Sequence, residues 1–202
     1  MKNLVLRMPG RGAILDVGAG CGEFLKSLSV AAQFEKKVAV DLQPERGGSL
    51  EGVTWVKCDL NEAWQAIEDK GFDCLVGIEV IEHLENPRHF IRECNRVLRK
   101  NGILIITTPN NESFRSMLSL LIRGHFVDFL DSNYPAHITP VVRMDLLRVL
   151  NENRFELIEV GYSPWGTLPF FTTCNWEQLT FGLARGKRFG SHLYVMAKKS
   201  DD

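Results

Sequence analysis

Short apolar runs rich in β-branched residues alternate along the chain with stretches in which apolar residues recur every three or four positions, a rhythm that predicts strands separated by amphipathic helices. Ala13 to Val17 reads as the first strand; Phe24, Leu25, Leu28, Ala31 and Ala32 follow at helical spacing, and Lys37 to Val40 returns to strand. Strands are predicted over Val53 to Val56 and Phe72 to Ile78, with a helix between them running from Asn61, its N-cap, to Glu68. Asn86 and Pro87 open a helix whose Phe90, Ile91, Cys94, Val97 and Leu98 make one apolar stripe, ending near Gly102. The apolar run Ile103 to Thr108 fits a strand covered on both faces.

Past Pro109 the pattern predicts a helix over Asn111 to Arg123, then a loop rich in aromatics and histidine, HFVDFLDSNYPAHITP. Thr139 and Pro140 start a helix carrying Val142, Leu146, Val149 and Leu150, Phe155 to Tyr162 alternates as a strand with one wetter face, and His192 to Ala197 closes as a final strand. The order predicts an α/β fold: a Rossmann-like doubly wound sheet of about seven mostly parallel strands with helices on both faces.

A chain of 202 residues that is 45% hydrophobic suits one domain with a sizeable core. Its 24 basic residues nearly balance 25 acidic ones, so nothing global favours nucleic acid or an anionic membrane as partner. The opening MKNLVLRMPGRG is too short and interrupted for a signal peptide, and no run approaches the roughly 18 apolar residues of a spanning helix; a cytoplasmic protein is expected. Five cysteines without a CxxC spacing favour reduced thiols, read as small core residues, over disulfides or zinc.

The chemistry starts at ILDVGAGCGEF, residues 14 to 24, where the first strand turns into the first helix. Glycines there remove the Cβ atoms that would keep a ligand from the backbone, and the helix that follows offers unpaired N–H groups. Their spacing, Gly18, Gly20 and Gly22 behind Asp16, departs from the G-x-G-x-x-G of dinucleotide binders and counts against NAD. Asp41, ending the second strand, is placed to accept both hydroxyls of a ribose, with Leu42 beside an adenine. Asp59, after the third strand, is placed to accept from an adenine amine while the Leu60 N–H reaches a ring nitrogen.

Residues 12 to 109 resemble the class I S-adenosylmethionine-dependent methyltransferases, VDL, CDL, EVIEHLENP and NRVLRKNGILIITTPN being similar to their successive motifs. Within that superfamily, EVIEHLENP resembles the branch (methyltransferase types 11 and 12) holding the ubiquinone-pathway O-methyltransferases and many small-molecule, glycan- or lipid-associated enzymes. The resemblance implies S-adenosylmethionine as cofactor, with Asp16, Gly18 and Gly20 around its methionine, Asp41 on its ribose, Asp59 and Leu60 on its adenine, and Glu79 beside the methionine end and the acceptor. It divides the single domain into a cofactor-binding half, 10–109, and an acceptor-side half, 110–202, with a lid loop over 124–140 and an insertion over 163–189. Relatives usually carry an extra N-terminal helix over the cofactor, and here about a dozen residues precede the first strand.

Methyl transfer from a sulfonium is an in-line displacement on an already activated donor, so the protein chiefly positions and desolvates the acceptor. A hydroxyl acceptor also needs its proton removed, and Glu79, His83 and His137 are the candidates. Some relatives hold a divalent ion in a similar E-x-x-E-H segment, among them the ubiquinone-pathway enzymes and small-RNA 3′-terminal methyltransferases. Glu79, Glu82, His83 and His137 would be that site here, for Mg²⁺ or Mn²⁺ rather than zinc, although no metal is expected. His125 is a second loop histidine, and Trp165, Phe170, Phe171 and Trp176 read as core ahead of an acceptor pocket. The stretch Trp176 to Arg188 sets apolar residues beside cations, which permits weak peripheral contact with a membrane. The expected partner is a small-molecule, sugar, glycan or lipid acceptor, methylated at oxygen. The alternatives are a non-catalytic S-adenosylmethionine-binding regulatory module, an RNA 2′-O-methyltransferase, which the near-neutral charge disfavours, and an NAD-dependent oxidoreductase.

Overall fold

All five residues of β1 (Ala13–Val17) are buried, which is the mark of a central strand. The computed structural model describes Val5 and residues 12–29, 34–48, 50–168 and 171–200. Around β1 lie β2 (Lys36–Asp41), β3 (Val53–Lys57), β4 (Phe72–Ile78), β5 (Leu98–Pro109), β6 (Phe155–Tyr162) and β9 (His192–Lys199) in a seven-stranded sheet of order β3-β2-β1-β4-β5-β9-β6. All neighbours pair in parallel except β9, which runs antiparallel between β5 and β6 and sets His192 opposite Pro109. A separate two-stranded antiparallel sheet pairs β7 (Thr167–Leu168) with β8 (Phe171–Asn175).

The sheet's alternation sends side chains into two cores. On one face Leu15, Val38, Leu75 and Leu104 meet Phe90, Ile91, Cys94 and Val97 of α2 (Pro87–Val97) and Leu146 and Leu150 of α4 (Arg143–Glu152). On the other, Ile14, Ala39 and Val76 meet Leu25 and Leu28 of α1 (Glu23–Ser29). Helices on both faces of a mostly parallel sheet agree with the alternation in the sequence. Asn86 caps α2 by accepting from the His89 N–H at 3.0 Å, as its position predicts.

Several boundaries differ. Asn61 to Glu68 forms turns rather than a helix: Asn61 accepts from the Glu85 N–H at 2.9 Å, while Trp64 and Ile67 are drawn into the core, so tertiary burial overrides local propensity. The α2 helix stops at Val97, and Leu98 already belongs to β5. α3 (Phe114–Arg123) starts after Ser113, whose hydroxyl accepts from the Ser116 N–H, rather than at Asn111. α4 starts at Arg143 rather than Thr139, because Thr139 bonds the Leu84 carbonyl instead of capping, and the Arg143 N–H is taken by the Glu112 carboxylate at 3.1 Å.

Cys74 and Cys94 are core residues as expected, whereas Cys21 and Cys174 are exposed. Trp165 is exposed too, and Trp176 stacks edge-on against Phe189 at 5.3 Å; neither sits in the two main cores. The predicted helical positions Ala31 and Ala32, the residues preceding Val5, and Phe170 lie outside the described residues. Among the described residues no helix is long and apolar enough to cross a membrane.

Candidate active site

The C-terminal ends of β1, β2, β3, β4 and β5 share one edge of the sheet, and the residues singled out in the sequence gather there. Gly18 and Gly20 both take positive φ, 66° and 55°, which a side chain disfavours. A Cβ on Gly18 would stand 2.5 Å from Val80 Cγ2, whereas one on Gly20 would meet nothing within 4 Å. Gly18 is therefore dictated by packing and conformation, Gly20 by conformation alone. Gly20→Ala is expected to destabilise by about 1 kcal/mol from the left-handed backbone, and Gly18→Ala by that amount plus about 1–3 kcal/mol of overpacking. Denaturant midpoints measure the difference, and equal losses would contradict this account.

Asp41 ties the end of β2 to this loop, accepting from the Gly20 N–H at 2.8 Å through Oδ2 and from the Gln43 N–H at 2.9 Å through Oδ1. Leu42 beside it is exposed. Asp16 points into the protein, 2% exposed, and its Oδ2 has no hydrogen-bond partner. Burial first, and Asp41 second, push its carboxyl up to about 8. A buried acid with an unpartnered oxygen next to open space at Gly20 fits the cationic methionine end of S-adenosylmethionine. Asp59 closes a turn by accepting from the Asn61 N–H at 2.9 Å, and the buried Leu60 side chain pins that backbone at the edge of β3.

A second group of side chains follows β4. Glu79 holds φ at 52° and its N–H donates to the Thr107 hydroxyl at 3.0 Å, so β5 fixes a left-handed residue that is not glycine. Its Oε1 is buried without a partner, and Oε2 lies 3.7 Å from His192 Nε2. Burial raises the Glu79 carboxyl, with His192 opposing. Glu82 is wholly buried; the Thr108 hydroxyl donates to its Oε2 at 3.1 Å, its Oε1 has no partner, and burial together with Glu79 pushes its carboxyl up to about 8.

The loop carrying His137 is stitched to this segment, since the N–H groups of Ile138 and Thr139 both donate to the Glu82 carbonyl at 3.0 Å. His83 and His137 meet edge to face with centroids 4.6 Å apart. His83 Nδ1–H donates to the Ala136 carbonyl at 2.8 Å and His137 Nδ1–H to the Asp128 carbonyl at 2.6 Å, which leaves each Nε2 as an acceptor. Burial, and secondarily His137, lower the His83 pKa and favour its neutral form. Ligand atoms of Glu82, His83 and His137 lie within 4.8 Å of one another, and Glu79 stands outside that group. His125 bonds the neighbouring Phe126 carbonyl and does not join the cluster.

Four residues here escaped the reading of the sequence. Thr107 and Thr108 orient the two glutamates, His192 faces Glu79, and buried Asn110 donates to the carbonyls of Lys187 and Gly190. The paired threonines in an otherwise apolar strand were a usable signal; His192 arrives through the antiparallel insertion of β9 and left none. A cavity of about 210 Å³ lies beside His192, reaching Asn110, Asp128, Trp176 and Phe189. A wider hollow of about 690 Å³ runs between α4 and the start of β6, at the opposite edge of the sheet and without comparable chemistry.

Residues 1–160 match a family model described as a methyltransferase domain. The chain is 30% identical over 172 residues to the ubiquinone biosynthesis O-methyltransferase of Xylella fastidiosa strain 9a5c, the match covering 79% of this chain and 68% of that protein. It is 34% identical over 100 residues to a probable S-adenosylmethionine-dependent methyltransferase of Mycobacterium tuberculosis, covering 48% of this chain and 36% of that relative, about a third of its length. A solved SAM-dependent methyltransferase from Archaeoglobus fulgidus superposes with a TM-score of 0.69 over 98% of this chain and 90% of that one, at 21% identity, which shows likeness of fold. With a family model spanning most of its length and a 30% identical methyltransferase matched over more than two thirds of that protein, the chain belongs to the class I S-adenosylmethionine-dependent methyltransferase family.

Proposed function

We propose that this chain transfers the methyl group of S-adenosylmethionine to a hydroxyl oxygen of a small-molecule, sugar or lipid acceptor. The observation that carries the reading is the buried Asp16 carboxyl, its Oδ2 without a hydrogen-bond partner, beside the open glycine loop, with the His83–His137 pair near the end of the adjacent β4. In this reading Asp16, Gly18 and Gly20 receive the methionine end, Asp41 the ribose, and Leu42, Asp59 and Leu60 the adenine. The sulfonium supplies an activated methyl group. The protein holds the acceptor in line and takes its proton, at Nε2 of His137 or His83, each ring being oriented by its Nδ1–H bond to a backbone carbonyl. Glu79, with His192 3.7 Å away, lies between the two halves and orients donor against acceptor. Five cysteines, odd in number and without a CxxC spacing, favour the cytoplasm as the compartment.

Calorimetric titration with S-adenosylmethionine and, separately, NAD⁺ tests the reading. Micromolar affinity for the first and none for the second is expected; NAD⁺ binding, or neither, would overturn it. A second reading, favoured by the convergence of Glu82, His83 and His137, places a divalent ion on these three residues, where it would hold the acceptor oxygen and lower its pKa. The back-bonded Nδ1 atoms and the free Glu82 Oε1 suit such a donor set. Mn²⁺ titration that is saturable in the parent chain and lost in His137→Ala supports it, while absence of binding leaves the imidazoles as metal-free bases.

A further inference from the structure

α3 is built inside out. Its buried residues are Ser116 and Ser119, whereas Phe114, Met117, Leu120, Leu121 and Ile122 are exposed, Leu121 at 83%. A helix packed on a core hides its apolar stripe, and here that stripe faces away. A second element adds to it: Phe181 and Leu183, on the turn after α5 (Trp176–Leu179), are 96% and 89% exposed. The two segments are in contact, because the Phe114 N–H donates to the Arg188 carbonyl at 2.9 Å and the Phe114 ring packs on Phe189, which packs on Trp176. An apolar area of this kind on a soluble domain marks something that covers it.

The charges identify the cover. Residues 114–123 and 176–190 hold five cations, Arg115, Arg123, Arg185, Lys187 and Arg188, against one acid, Glu177, in a chain whose net charge is −1. Glu177 is itself paired with Arg185, and Lys187 with Glu112 just before the start of α3, so the excess of positive charge rests on Arg115, Arg123 and Arg188. A twofold dimer through this face would set each cationic cluster against its own copy. An anionic phospholipid surface, by contrast, accepts apolar side chains below and arginines at the phosphates. The face also leads to the site: the 210 Å³ cavity runs from Arg115, Trp176 and Phe189 to His192, which faces Glu79.

We infer that residues 114–123 and 176–190 dock on an anionic bilayer and that the acceptor is an amphipathic molecule drawn from it, hydroxyl head first, through this cavity. The second half of that statement rests on the proposed methyl transfer; docking stands apart from it.

Flotation of the full chain with vesicles tests docking. Binding to phosphatidylcholine vesicles containing about 30% phosphatidylglycerol is expected to exceed binding to pure phosphatidylcholine by about tenfold or more, and to weaken in roughly 0.5 M NaCl. Leu121→Glu with Phe181→Glu, both at exposed positions, is expected to lose at least about tenfold of that binding while S-adenosylmethionine affinity stays unchanged. Equal or absent binding to both vesicle types, or a double variant that binds like the parent, overturns the inference. So does a concentration-dependent dimer in sedimentation velocity that the same substitutions abolish, which would assign the face to a second copy. Loss of S-adenosylmethionine binding in the parent chain would strike the proposed function and leave the docking result standing.

Discussion

Asp41→Ala is expected to weaken S-adenosylmethionine binding by about a hundredfold, because the side chain would lose two charge-assisted hydrogen bonds worth about 1.5 kcal/mol each. A carboxylate offers about four acceptor positions. Two are used in the structure, by the N–H groups of Gly20 and Gln43, which hold the carboxylate in place and leave the others for vicinal hydroxyls. The residue is partly exposed and belongs to neither core, so the fold should survive with a loss of about 1 kcal/mol from the freed Gly20 N–H. Asp41→Asn keeps one acceptor oxygen and should fall between the two. Titration with S-adenosylmethionine measures the affinity and a denaturant curve the stability. Unchanged affinity in the alanine variant would remove Asp41 from the site, whereas joint loss of affinity and fold would make it a structural tie for the glycine loop.

The half of the site built from β1 and β2 was legible because its signals are local. Gly18 and Gly20 have positive φ in the structure, and Asp41 ends its strand as its pattern predicts. The other half depends on pairings far apart in sequence. His192 reaches Glu79 only because β9 inserts antiparallel between β5 and β6, and no periodicity in HLYVMA announces that. Thr139 reads as a helix start, but its hydroxyl and N–H fasten the loop to the Leu84 and Glu82 carbonyls, and that fastening is what delivers His137 to His83. Trp64 and Ile67 likewise obey the core before the helical propensity around them. In α3 the apolar content reads correctly as helix, but periodicity does not say which side faces inward, and the buried serines reverse the ordinary answer.

Asp16 should make cofactor binding and stability depend on pH in opposite senses. Its carboxyl is raised from 3.8 to about 8 by burial and by Asp41, so the folded chain without cofactor binds this proton more tightly than the unfolded chain does. The stability it contributes is complete below about pH 4 and is lost as pH climbs through 8. Asp16→Asn has no such proton to lose and is expected to be more stable than the parent at pH 8, with the gap closing toward pH 4. Binding runs the other way: a cation beside the unpartnered Oδ2 favours the ionised form, so a proton must leave when S-adenosylmethionine enters below pH 8. Parent affinity should therefore rise from pH 6 to 8 by up to about tenfold per unit, and the asparagine variant should bind weakly with a flatter profile. Glu82 is raised over the same range, so its own titration must be separated from that of Asp16. Calorimetry in two buffers of different ionisation enthalpy counts the protons released, and Glu82→Gln should leave that count near one while Asp16→Asn takes it toward zero. A parent count of zero at pH 6.5 would mean that the cation is met elsewhere and would remove Asp16 from the site.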